Sequence, residues 1–444
     1  MRKFEKISQK THFMLLEFTV GNFLSFRDKK TLNLNAAAVK EHIDTNLIHK
    51  GKLNLLKGAV IYGANASGKS NLVRAMSTMR RLVLQAFEQS SASELDVTPF
   101  LLEINHESQP SFFEVLFLID EIRYRYGFEV DNISVKSEWL FEAKKQVEKP
   151  LFIRENDGIE VMKLFSEGKD LEEKTRDNAL FLAVVDQFNG KTAKKIMTWF
   201  SNFVTISGLG HERYTGVTYK MLDNEETKPL LQSFFDTADL GFDSVHLNKK
   251  EFDASKLPKD MPESIMKELS LKLQGQTIVD VTTLHKKYND QNKVVGTVEF
   301  DMDSQESAGT NKLFNMSGPV FDVLHDGGIL VVDELDASLH PLLTLAITKL
   351  FNSKEHNPHN AQLIFATHDT NLLSYGNYRR DQIFFVEKDK YGASDLYSLV
   401  EYKEEGSKAV RKDRSFEKDY IQGRYGAIPF IGNLSNIIQE WQEK

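Results

Sequence analysis

Apolar and polar positions alternate along residues 14–35: Leu16, Phe18 and Val20, then Phe23 and Phe26, then Leu32 and Leu34. A period of two is what a strand with one buried face requires. The stretch therefore predicts two strands joined by a Gly-Asn turn. The run 53–62, LNLLKGAVIY, is apolar and β-rich, as suits a buried strand. Just beyond it the period changes: Leu72, Val73, Met76, Met79, Leu82 and Val83 recur at helical spacing between Ser70 and about Phe87. Phe112–Ile119 and Tyr124–Val130 predict a hairpin that turns near Asp120-Glu121.

From about 135 to 290 the charge density rises and the apolar signal becomes helical, as at Ala193, Ile196, Met197, Phe200 and Phe203. Residues 171–188, LEEKTRDNALFLAVVDQF, read as a helix or a helix pair, and 205–265 as loop-rich and polar. After 290 strands return at Val294–Phe300, Gly328–Val332, Gln362–Ala366 and Gln382–Val386, with a helix over Leu342–Phe351. Short apolar strands alternating with helices argue for an α/β core built on a parallel sheet. No internal repeat or sustained heptad pattern interrupts this reading.

The chain has 444 residues, 41% hydrophobic and 27% charged, which is a globular balance. It contains no cysteine, so disulfide scaffolds, thiolate metal sites and cysteine nucleophiles are excluded. A net charge of −8 disfavours a protein that wraps nucleic acid over its whole surface, but leaves room for a local basic patch. The opening residues MRKFEKISQKTHF lack the apolar centre of a signal peptide, and no apolar run approaches a membrane span. The expected location is the cytoplasm. Met14 begins a cleaner strand, so residues 1–13 are expected to be a poorly ordered extension.

Gly63-Ala64-Asn65-Ala66-Ser67-Gly68-Lys69-Ser70 has the spacing G-x-x-x-x-G-K-S of a phosphate loop. Glycines let the backbone N–H groups converge on a phosphate, and the helix that follows adds its positive end. Lys69 is placed to reach the β- and γ-phosphates of ATP, and Ser70 to bind Mg2+. Gly63, Asn65, Ser67, Gly68 and Asn71 complete the expected cradle. Gly328–Glu334 is an apolar strand ending in two carboxylates. Asp333 is expected in the Mg2+ shell and Glu334 as the base that activates water. His368, in Thr367-His368-Asp369, follows another apolar strand, at the sheet edge where open α/β proteins bind ligands. There it would contact the γ-phosphate.

A polar stretch, Ser304–Thr310, lies between the phosphate loop and Asp333. This order of phosphate loop, Ser-Ala-Gly-Thr, Val-Val-Asp-Glu-Leu-Asp and Thr-His-Asp resembles the ATP-binding-cassette (ABC) type of ATPase in its SMC/RecN/RecF-like branch. It looks most like the stand-alone anti-phage ATPases of the RloA, AbiL and PARIS AriA kind. LEFTVGNFLSFRD, YGANASGKSNL, EEKTRDNALFLAVVDQFNG and RKDRSFEKDYIQGRYGAIPF carry that likeness.

The resemblance implies an α/β P-loop NTPase of the ABC ATPase-head type, with a mixed or parallel sheet core and a largely helical insertion. The expected lobes are 14–134 and 291–444, the second with a C-terminal tail, and the insertion is 135–290. It implies that Ser307 and Gly309 complete the ATP site of a second subunit, in a head-to-tail homodimer or higher oligomer. Asp336 falls where such proteins have a D-loop. The implied function is an ATP-hydrolysing switch of bacterial anti-phage defence that controls a separate effector protein encoded nearby. The alternative is a RecF/SMC-like DNA-binding ATPase of repair or maintenance. Nucleic acid is expected to bind weakly at most, and a membrane not at all.

Three further features are assigned bland roles. Asp301-Met302-Asp303 is read as a strand end, and His356 and His359 as part of a solvated loop. The charged run 401–419, with Arg411, Lys412 and Arg414, is read as a surface segment.

Overall fold

The structure, a computed structural model, describes every residue except 1–11, 87–89, 91–92, 156–157, 208–209, 211–213, 257–260, 375, 405–407, 412–413, 430–440 and 442–444. The chain divides into two compact units, Met1–Leu209 with Asp322–Lys444, and Gly210–Phe321.

The first unit holds two large sheets. One is seven-stranded and antiparallel, in the order 158–161, 149–155, 135–143, 122–130, 111–119, 13–21 and 30–33. The other has six strands in the order 203–207, 329–333, 362–366, 58–62, 383–388 and 394–398. Its first five strands are parallel, and the last returns antiparallel. Central strands such as 58–62 and 362–366 are buried throughout, which explains their unbroken apolar runs. Helix Lys69–Leu84 packs on this sheet with Leu72, Val73, Met76, Met79 and Val83 buried. Buried Gln362 joins the two sheets. Its side chain accepts from Leu15 N at 2.7 Å and donates to the carbonyls of Leu15 and Leu56.

The second unit contains a three-stranded antiparallel sheet, 244–251, 277–288 and 294–301. Helices 215–223, 228–237 and 263–273 accompany it, and helix Ala308–Asp326 begins here. Leu222, Leu231, Phe235, Phe242, Val281 and Phe314 form its core.

Several expectations change. Residues 1–11 of the expected extension lie outside the described residues, but Phe13 is not part of a loose end. It is 8% exposed and pairs with Ile119 in the seven-stranded sheet. The first two strands are not joined by a tight Gly-Asn turn; residues 22–29 connect them, with Phe23 and Phe26 forming their own bridge. The stretch 135–290 is not a largely helical insertion. Strands 135–143, 149–155 and 158–161 continue the antiparallel sheet, and the separate unit starts near 210 and runs to 321. A buried carboxylate disguises the strand 135–143. Glu138 is fully enclosed and accepts from Tyr126 Oη and from the backbone N–H groups of Phe181 and Leu182, at the start of helix 181–187. The expected loops of 205–265 include helices 215–223 and 228–237 and strand 244–251, where Leu222, Leu231, Phe235 and Val245 supply buried apolar surface.

The run 53–62 also splits. Residues 53–56 pair with 47–50, while 58–62 enters the parallel sheet. Lys57 sits at the break, 2% exposed, and its Nζ donates to the carbonyls of Asn352 and Ser353. These close helix 341–352, where the helix dipole favours a cation. Burial nevertheless lowers the Lys57 pKa to about 8 from 10.5, with nearby Lys354 adding to the shift. Between those two values the unfolded chain binds more protons than the folded one, so this residue makes stability rise with pH. Urea melts at pH 7.5 and 9.5 should show a rise for the wild type that is smaller in Lys57→Met. An identical pH dependence in the two proteins would refute the assignment.

Candidate functional site

Strand 58–62 ends at Tyr62, and the phosphate loop begins at its C-terminal end. The next strands on one side, 362–366 and 329–333, run parallel to it and end at the same edge. Topology therefore brings together three motifs that are far apart in the chain. A cavity of about 480 Å³ is lined by residues 64–71 together with Glu334, His368 and Lys388.

The loop is closed by its own lysine. Lys69 is 5% exposed, and its Nζ donates to the carbonyls of Gly63 at 2.7 Å and Ala64 at 3.1 Å. Burial lowers its pKa, and the carboxylates of Asp333, Glu334 and Asp336 oppose that shift. Gly68 has φ +117°, a conformation that side chains resist, and a Cβ there would collide with Ser394 Oγ. Gly63 has no room either, because a Cβ would strike the Val386 carbonyl.

Hydroxyl groups from distant parts of the chain brace the loop. Ser394 Oγ donates to the Ser67 carbonyl at 2.6 Å and accepts from Ser25 Oγ at 2.8 Å, and Asn71 Nδ2 donates to Ser25 Oγ at 2.7 Å. From the C-terminal segment, Tyr420 packs on Tyr62, the residue before the loop, with ring centroids 5.5 Å apart, and its hydroxyl donates to the Ala427 carbonyl. Sequence reasoning missed Ser25, Ser394, Tyr420 and Lys388. No local pattern marks them, since Ser25 and Ser394 meet only through tertiary folding.

Glu334 follows strand 329–333 with φ +52°, an uncommon conformation for a residue with a side chain. Asp333 and Asp336 do not line the cavity, but each keeps a buried carboxylate oxygen, Oδ1, without a hydrogen-bond partner. Asp336 Oδ2 accepts from the His368 backbone N–H at 3.2 Å, linking the ends of the two strands. Burial lowers the His368 pKa from 6.5, and Lys69 adds to the shift against the pull of the three carboxylates.

The residues fit a polyphosphate and a divalent cation. The loop backbone is a cradle that any Cβ at Gly63 or Gly68 would spoil, and the unpartnered buried oxygen of Asp333 is suited to a cation. Ser307 and Gly309 belong to the second unit. There Ser307 Oγ accepts from Thr310 N at 3.0 Å and caps helix 308–326. Asp301 ends strand 294–301 and caps the short helix after it by accepting from Ser304 N, as the bland reading expects. Among the described residues no cluster of acidic or histidine side chains is arranged to hold a metal by itself. No helix among them is long and apolar enough to cross a membrane.

A parallel sheet with a phosphate loop at its centre and Asp-Glu and histidine at the neighbouring strand ends defines a P-loop NTPase. Residues 59–374 match the family described as "AAA domain, putative AbiEii toxin, Type IV TA system", and the chain belongs to that family of ATPases. A solved SMC head domain from Thermotoga maritima is similar at 13% identity and a TM-score of 0.37, over 86% of this chain and 98% of that one. No curated protein matches the chain in sequence.

Two outcomes follow from this geometry. Ser394→Ala removes the donor to the Ser67 carbonyl and should weaken nucleotide binding by about 1 kcal/mol, measured by calorimetric titration. Unchanged affinity would show that the brace is dispensable. The folded state binds a proton on His368 less readily than the unfolded chain does, so this residue's contribution to stability is lost as pH falls through about 6.5. In an NMR titration His368 should titrate below that value, and Lys69→Ala should move it upward. A His368 that ignores Lys69→Ala would contradict the electrostatic account.

Proposed function

We propose that the protein is an ATP-hydrolysing switch of a bacterial defence system, of the kind exemplified by the RloA, AbiL and PARIS AriA ATPases. The observation that carries the enzymatic part is the single cavity holding the phosphate loop, Glu334 and His368. Lys69 and the loop N–H groups would bind the phosphates, and Ser70 and Asp333 would hold Mg2+. The ion neutralises charge on the phosphate oxygens when bound. Glu334 accepts the proton of the attacking water. His368, kept neutral by burial and by Lys69, offers an uncharged imidazole to the γ-phosphate.

The defence role is supported by the family description, which speaks of a toxin and a toxin–antitoxin system. In this reading Ser307 and Gly309 of one copy complete the site of another, head to tail, and Asp336 serves near that junction. ATP engagement alters how a separate effector protein is held, and an adjacent gene encodes that effector. The second unit and the segment after 400 form the partner surface.

Lys69→Ala should reduce ATP binding below detection. Glu334→Gln should retain binding and slow hydrolysis roughly 100-fold or more. Wild-type turnover by Glu334→Gln would overturn the base assignment. Mixing Ser307→Arg chains with Lys69→Ala chains should restore partial activity through one intact composite site, and no rescue between exchanging subunits would exclude a shared site. In the native host, protection from phage should require both Lys69 and the adjacent gene.

A further inference from the structure

The family match ends at residue 374, yet the wall of the cavity continues beyond it to Lys388. Lys388 is the last residue of strand 383–388, which pairs in parallel with 58–62, the strand that leads into the loop. Two contacts fix this hairpin to the loop. The Val386 carbonyl lies against Gly63, and Ser394, on the returning strand, holds the Ser67 carbonyl. The backbone beneath Lys388 is therefore tied to the phosphate cradle, while its side chain is exposed.

The neighbouring acids do not claim that ammonium. Asp389 accepts from the backbone N–H groups of Tyr391 and Ala393, and Glu387 accepts from Tyr397 Oη. Among the described residues Lys388 makes no ion pair of its own. The cavity thus has two cations of different character. Lys69 is buried and spends donors on the loop carbonyls, whereas Lys388 is exposed with its donors open to a ligand. A site lined by backbone N–H groups and a free ammonium is complementary to a chain of several negative charges.

We propose that Lys388 is a nucleotide-binding residue whose ammonium bonds the phosphate chain of the nucleotide seated on the loop. The inference rests on the nucleotide reading above and adds to it a contact from outside the matched family region. As a charge-assisted contact to phosphate, it favours nucleotides with more phosphates and weakens with salt.

The test is calorimetric titration of the full chain with ATP and ADP in Mg2+, at low and high salt. Lys388→Ala should weaken ATP binding about tenfold at low salt. The loss should be smaller for ADP and should narrow as salt rises. Lys388→Arg should bind ATP nearly as wild type does, and all variants should keep the wild-type melting temperature. A wild type that binds ATP, a Lys69→Ala that does not, and a Lys388→Ala indistinguishable from wild type would overturn this inference alone. A loss equal for ATP and ADP and insensitive to salt, or an arginine that fails to restore binding, would also overturn it. A wild-type chain that never binds ATP would overturn the reading beneath it.

Discussion

The carbonyls of Gly63 and Ala64 both accept hydrogen bonds from the buried ammonium of Lys69, and this small closed circuit governs how the site is built. A buried cation is costly unless its donors are satisfied. The loop must therefore curl around it, and curling that tightly demands glycine at 68, where φ is +117°. The carboxylates of Asp333, Glu334 and Asp336 stabilise the charge from the neighbouring strands. Burial depresses the His368 pKa, and the same ammonium adds to that shift although the two residues are far apart in sequence.

Keeping that loop in shape takes support from well outside the motif. Ser25 comes from the connection between the first two strands, Ser394 from a hairpin near the other end of the chain, and Tyr420, which packs on Tyr62 just before the loop, from the segment beyond it. Gln362 performs a similar service between the sheets, fixing the antiparallel sheet to the parallel one at Leu15 and Leu56. The C-terminal segment thus packs, through Tyr420 on Tyr62, against the end of the strand that leads into the phosphate loop.

Much was legible along the chain. The phosphate loop, the Asp333-Glu334 strand end and His368 are contiguous motifs whose spacing reflects local chemistry. The buried strands 329–333 and 362–366 declare themselves as short apolar runs because both of their faces are covered. The hairpin 111–130 and helix 191–201 likewise show the periodicity of their element. What misled was burial of charge. Glu138 and Lys57 sit inside the protein because backbone groups from remote segments satisfy them, so a strand looked like part of a charged insertion and one apolar run looked continuous.

The sequence by itself determined the phosphate-loop, Asp-Glu and histidine motifs of the candidate site and the α/β class, because both are carried by neighbouring residues and by patterns of period two or 3.6. Tertiary structure alone decided which sheet each strand joins, where the second unit begins and ends, and which hydroxyls and cations surround the loop. Those choices depend on pairings across hundreds of positions, such as Ser25 with Ser394, and a local pattern holds no record of a partner so far along the chain.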